Sequence, residues 1–272
     1  MKNNKMNLGM IVAIIAMIAV VVIKIAGIYM LHSAISVSLI NVGTILGTIN
    51  YVLVIAFFYG LYAKVDVKKL GTGVITVWGI NNLLPMVKSV VSTIQQIIYT
   101  FELSSVIYLI YIIVLTLVFA FIVLMSINFI YTKKPTSGKN YTLTYLIPII
   151  IMLIAMLAFN AWLKVNGFAD EATVMTLIVN SLTSTFYLTL NILKYMIAVL
   201  VIKEHKTGAY LLIIYVLVWY VSFMAKSLTA FMQMNSALLG ITVFIFLVPF
   251  IYYTYTLIMG MIVATRRILN KN

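Results

Sequence analysis

The chain has 272 residues, of which 64% are hydrophobic and only 8% charged, with 18 Lys and Arg against 5 Asp and Glu. A soluble domain carries about a quarter charged residues to meet water, so this composition excludes one and calls for a surface that meets lipid. The net charge of +13 would suit a nucleic-acid partner, but no segment here can build the basic face of a soluble domain that phosphate backbones require.

Crossing a bilayer takes about 20 apolar residues. The first such run, about 8–31, follows Lys2 and Lys5. A secretory signal has the same charged start, yet this run extends to about Met30 with no small-residue cleavage site behind it, and reads as a retained helix. The second run, about 38–62, contains Gly43 and Gly47 in a G-x-x-x-G, an ordinary close-packing signal. The third, about 74–100, carries PMVKSVVSTIQQ from Pro85 to Gln96, with a lysine well inside it. Further runs lie at about 104–131, 143–163, 173–202, 209–233 and 238–264, joined by short connections. They are continuous rather than alternating, so helices rather than a barrel are predicted. The fold class is an all-α integral membrane protein of about eight transmembrane helices, with the lipid bilayer as its first partner.

Thirteen of the 18 basic residues then fall on one side: Lys2, Lys5, Lys64, Lys68, Lys69, Lys133, Lys134, Lys139, Lys203, Lys206, Arg266, Arg267 and Lys271. The opposite connections hold Glu102, Asp170 and Glu171. Basic residues mark the cytoplasmic face. A multi-pass protein of the cell membrane with both termini inside is expected, and most of the net charge is explained without nucleic acid.

The third run has an echo. Met86, Lys88, Ser89 and Gln95 recur as Met224, Lys226, Ser227 and Gln233, displaced by 138 residues. Lys24 and Gly27 recur as Lys164 and Gly167, displaced by 140, and Asn41 as Asn180, displaced by 139. Two tandem four-helix repeats, about 1–139 and 140–272, are expected to form one membrane domain. Four crossings return the chain to its starting side, so the repeats are parallel.

Polar stripes mark the candidate site. Asn81, Pro85, Lys88, Ser92, Gln95 and Tyr99 keep to one helix face by steps of three and four. Ser222, Lys226, Thr229, Gln233 and Ser236 do the same, as do Asn180, Ser184, Tyr187, Asn191 and Lys194. Such faces are expected to meet another helix, a water-filled cavity or a ligand. Lys24 and Lys164 lie near helix ends, where snorkelling accounts for them. Lys88 and Lys226 lie deeper and have no carboxylate in the same spans. Pro85 removes a backbone donor from the carbonyl of Asn81, and Asn81 and Asn82 are placed to satisfy freed backbone groups. The predicted ligand-binding residues are Lys88, Lys226, Ser89, Ser227, Gln95, Gln233, Asn81 and Lys194.

Enzyme chemistry is missing. There is no cysteine, and the two histidines, His32 and His205, fall in connections on opposite faces. No paired aspartates, His-Glu-x-x-His, Gly-x-Ser-x-Gly or phosphate loop is present. Lys88–Ser89 and Lys226–Ser227 are sequence neighbours, which point about 100° apart on a helix and do not meet. No catalytic residue, metal or cofactor is expected. Two readings follow. One is binding or transport of an anionic small molecule or lipid through a lysine-lined intramembrane cavity. The other is a non-catalytic interaction protein, either an accessory subunit of a transport or secretion complex with a membrane-protein or ATPase partner, or an immunity protein against a membrane-active toxin.

Overall fold

The computed structural model describes residues 3–35, 42–132, 138–166, 174–232 and 239–269. Among the described residues there is no strand. The helices are α1 (Asn3–Ile35), α2 (Val42–Tyr62), α3 (Lys68–Thr100), α4 (Leu103–Tyr131), α5 (Gly138–Val165), α6 (Val174–Ile202), α7 (Lys206–Met232) and α8 (Leu239–Ile262), the last continuing into a π-helical turn, Val263–Leu269. All eight helices are long and apolar enough to cross a membrane.

The apolar runs located these helices but not their ends. The third run begins at about 74, whereas α3 begins at Lys68. Its start is set by a cap: the Lys68 N–H donates to Asp66 Oδ1 at 3.1 Å, satisfying one of the donors a helix leaves open at its first turn. Hydropathy marks where a helix can meet lipid, and the cap marks where it starts.

Two connections share one construction. At the end of α2, Val65 N–H donates to the Gly60 carbonyl at 3.1 Å and Lys64 N–H to Leu61 at 3.3 Å. At the end of α6, His205 N–H donates to the Leu200 carbonyl at 2.9 Å and Glu204 N–H to Val201 at 3.0 Å. Both are Schellman closures, with the residue past the helix in the left-handed region. Lys64 has φ of 58° and Glu204 of 54°, the two non-glycine residues with positive φ among the described residues. The second closure is tight. A Cβ built on Gly208, at the start of α7, would lie 2.6 Å from Leu200 Cβ and 2.9 Å from its carbonyl carbon.

The chain forms two compact units, one of Met1–Val77 with Ile197–Asn272 and the other of Trp78–Met196. In the first, α1 packs along α2 and α8, and α8 also packs on α2 and α7. Its buried centre includes Val20, Ile55, Leu61, Val74, Ile75 and Ile268. In the second, α4 packs on α5. The Ser126 hydroxyl donates to the Ile122 carbonyl at 2.7 Å, so the Tyr145 hydroxyl, 2.8 Å away, donates to Ser126. This buried pair ties α4 to α5 beside Phe119, Ile122 and Met152.

The outside is apolar. Ile18 and Ile25 of α1 are 57% and 61% exposed, and Leu117 and Leu124 of α4 are 65% and 67% exposed. Contiguous apolar surface of that kind marks a protein or membrane contact.

Candidate functional site

The most elaborate polar cluster is built on Lys194. Asn191, Lys194 and Tyr195 are spaced three and four residues apart on α6, and Trp78 and Asn82 are one turn apart on α3, spacings that put neighbours on one helix face. Lys194 Nζ donates to Asn191 Oδ1 at 3.1 Å. The same nitrogen lies 5.3 Å from the Trp78 ring centroid and 5.4 Å from that of Tyr195. The two rings meet edge to face, 5.8 Å apart at 89°. Asn82 Nδ2 donates to the Tyr195 hydroxyl at 2.8 Å, and Asn191 Nδ2 donates to the Tyr187 carbonyl at 3.2 Å. All six residues belong to the second unit.

This arrangement answers a positive charge without a carboxylate. Aromatic faces carry negative quadrupole density, worth about 2 kcal/mol to a desolvated cation. A hydrogen bond to a charged group adds about 1.5–3 kcal/mol. Together they offset the roughly 2.5–3.5 kcal/mol that a lysine at a span's centre costs. The ring partners were not legible in the sequence. Tyr195 is adjacent to Lys194, but Trp78 lies on a distant helix. Asn82, expected to serve the backbone freed by Pro85, sends its amide to Tyr195 instead.

Lys24 is held in a similar way in the first unit. Its Nζ sits 5.3 Å from the Tyr51 centroid, and it crosses α2 at Gly47, where a built Cβ would come within 3.8 Å of that nitrogen. Snorkelling is thus joined by a ring contact. Tyr51 continues into an aromatic array: Tyr252 at 4.5 Å, Tyr253 beyond it at 5.1 Å, then Phe223 and Trp219 against Tyr253 at 5.0 and 6.5 Å.

The remaining predicted residues fall as follows. Asn81, Ser89, Lys88 and Gln95 all lie on α3, Asn81 and Ser89 half-buried, Lys88 and Gln95 exposed. Ser89 Oγ donates to the Pro85 carbonyl at 3.0 Å, and Ser92 Oγ to the Ser89 carbonyl at 3.0 Å. Lys226 is exposed on α7, and the neighbouring Ser227 is buried with its hydroxyl donating to the Phe223 carbonyl at 2.8 Å. The hydroxyl hydrogens of both serines are therefore taken by their own helices. Gln233, Ser236, Asn41, Gly167, Asp170 and Glu171 lie outside the described residues. Lys88 and Ser89 lie in the second unit, Lys226 and Ser227 in the first.

The cluster thus sorts the lysines. Lys194 is satisfied by groups of its own unit. Lys88 stands exposed, and among the described residues no acceptor reaches it. It lies 12 residues before the end of α3, about 18 Å along the axis. Among the described residues, no group of three or more His, Asp or Glu is placed to hold a metal ion. No protein-family model matches the chain, and neither a curated protein nor a solved structure matches it.

Proposed function

We propose that the chain is a multi-pass protein of a cell membrane, with both termini cytoplasmic, which binds or transports an anionic small molecule or lipid through Lys88 and Lys226. The observation that carries this reading is the exposed Lys88, whose charge no described residue answers. With a hydrocarbon core of about 30 Å centred on the roughly 50 Å of α3, Lys88 falls about 8 Å inside the outer edge. A lysine stem reaches much of that distance, placing the ammonium where phosphate or carboxylate head groups lie. On α7, Lys226 lies six residues before the end of its helix.

Two features support the tandem repeat. The Schellman residues Lys64 and Glu204 are displaced by 140 residues, close to the displacement between the two lysine motifs. The first unit is made of α1, α2, α7 and α8, with one end each of α3 and α6; the second holds the rest of α3 and α6 with α4 and α5. Advancing each of the four whole helices of the first unit by four positions around the set of eight gives α5, α6, α3 and α4. That is the composition expected when each unit takes one hairpin from each repeat.

The test is binding of short-chain phosphatidylglycerol and of inorganic phosphate to the purified chain, compared with Lys88→Met/Lys226→Met. Loss of binding at unchanged thermal unfolding is expected. Preserved binding of both probes refutes the site.

A second reading, the non-catalytic interaction protein, draws on the outer part of α3, where Ser92, Gln95, Gln96 and Tyr99 are all exposed. Amides and hydroxyls on a spanning helix bond to neighbouring helices. A membrane-protein partner, or an ATPase partner on the cytoplasmic side, would then copurify, and cross-linking from Gln95→Cys would capture the former.

A further inference from the structure

One end of the first unit gathers cations from three segments. Gly71, in the first turn of α3, lies directly against Ile202 and Phe57, which sets the α2–α3 connection beside the α6–α7 connection. Deeper in the unit, a Cβ built on Gly260 of α8 would lie 3.3 Å from Val216 of α7 and 3.7 Å from Phe58 of α2. The Tyr51–Tyr252 and Phe223–Phe246 contacts show that α8 runs parallel to α2 and antiparallel to α7. Beyond the Gly260 level α2 therefore leads to Lys64, α8 leads to Arg266 in the π-helical turn, and α7 leads back to Lys206. That turn packs on both α7 and α2, so the three segments close the same end.

This end carries Lys64, Lys68, Lys69, Lys203, Lys206 and Arg266 against Asp66 and Glu204. Lys68, Lys69, Lys206 and Arg266 are exposed. Three of them oppose the helices that bear them. Lys68 and Lys69 open α3 and Lys206 opens α7, and neither first turn contains an acid. A helix N-terminus carries partial positive charge, so cations there are disfavoured. Asp66 caps α3, but α7 is capped by an imidazole, the Thr207 N–H donating to His205 Nδ1 at 3.3 Å. Positive charge gathered in this way repels itself until anions arrive from outside.

Two features place those anions in the bilayer surface. The connections are only five and three residues long and are drawn tight by their Schellman closures. Their cations therefore stay beside the ends of the spanning helices. Val65 and Tyr210 stand among them, 55% and 58% exposed. Tyrosine is at home where hydrocarbon meets water, and an exposed valine gains from lipid contact. Basic clusters immediately beyond a membrane span attract anionic lipids.

We infer that this end of the first unit binds anionic phospholipid, whose phosphates meet Lys68, Lys69, Lys206 and Arg266. In the proposed orientation these are lipids of the cytoplasmic leaflet. The inference rests on the membrane-spanning reading but on neither Lys88 nor Lys226.

The test is native mass spectrometry of the full chain released from micelles containing equal phosphatidylglycerol and phosphatidylcholine. The wild type is expected to retain phosphatidylglycerol in preference. Lys68→Gln/Lys69→Gln/Lys206→Gln/Arg266→Gln should weaken that retention by several hundredfold, about fivefold for each side chain. The substituted lysines oppose the helix dipoles, so their loss should leave the fold intact. Lys68→Arg/Lys69→Arg/Lys206→Arg keeps the charge and should retain phosphatidylglycerol as the wild type does. Lys88→Met/Lys226→Met should also retain it, which separates this surface from the site proposed above. Equal retention of the two lipids by the wild type overturns the inference. So does undiminished phosphatidylglycerol on the glutamine variant, or its loss from the arginine variant. A copurifying protein that takes the place of the lipid overturns it too, in favour of an acidic partner.

Discussion

Replacing Trp78 by leucine removes the ring face on which Lys194 rests. The variant loses a desolvated cation–π contact, about 2 kcal/mol, and an edge-to-face ring pair with Tyr195, about 1 kcal/mol. A cost of about 3 kcal/mol is therefore expected. Lys194→Met behaves differently. It forgoes those lysine contacts but also removes a charge that costs about 2.5–3.5 kcal/mol at a span's centre, so it should be neutral within about 1 kcal/mol. In the Lys194→Met background the tryptophan substitution should cost only about 1 kcal/mol, since the cation is gone. The double-mutant cycle thus has an expected coupling of about 2 kcal/mol, roughly a thirtyfold effect on the unfolding equilibrium. Reversible unfolding in mixed micelles, followed by far-ultraviolet circular dichroism, measures it. Costs that add within about 0.5 kcal/mol would show that ring and ammonium do not interact energetically.

Two further outcomes probe the packing. Tyr145→Phe removes the donor to Ser126 inside the second unit, leaving a buried hydroxyl oxygen with one partner fewer, and should lower stability by about 1–2 kcal/mol in the same unfolding assay. Gly208→Ala places a methyl 2.6 Å from Leu200 Cβ and 2.9 Å from its carbonyl carbon. Backbone cannot yield as a side chain does, so a loss of about 1–3 kcal/mol is expected. A wild-type unfolding midpoint in either variant would contradict the geometry it tests.

The number and order of the helices were legible in the sequence because each apolar run is long enough to dictate a helix by itself. The stripe on α3 was also legible, since helical periodicity alone puts Asn81, Lys88 and Gln95 on one face. What surrounds that face was not. Periodicity says which residues share a side, while coverage depends on packing between distant parts of the chain. The partners of Lys194 show the same limit. Asn82 and Tyr195 are 113 positions apart, and nothing local in either helix names the other. The start of α3 fails for a different reason: Lys68 and Lys69 look like loop residues on hydropathy, and only the Asp66 cap reveals that the helix has already begun. The displacement of 140 between Lys64 and Glu204 was equally hidden, because neither residue type favours the left-handed conformation both adopt.

The proposed anion binding requires Lys88 and Lys226 to be reachable from outside the cell. Single Lys88→Cys and Lys226→Cys variants of this cysteine-free chain, expressed in intact cells, should react with a membrane-impermeant maleimide added outside, as should a cysteine at position 170, which the proposed orientation puts outside. Labelling at 88 and 226 comparable with that at 170 is the expected result. Protection of both positions while 170 reacts, or labelling that appears only after the membrane is opened, would contradict the proposed role of the two lysines and leave the polar face of α3 to a protein partner.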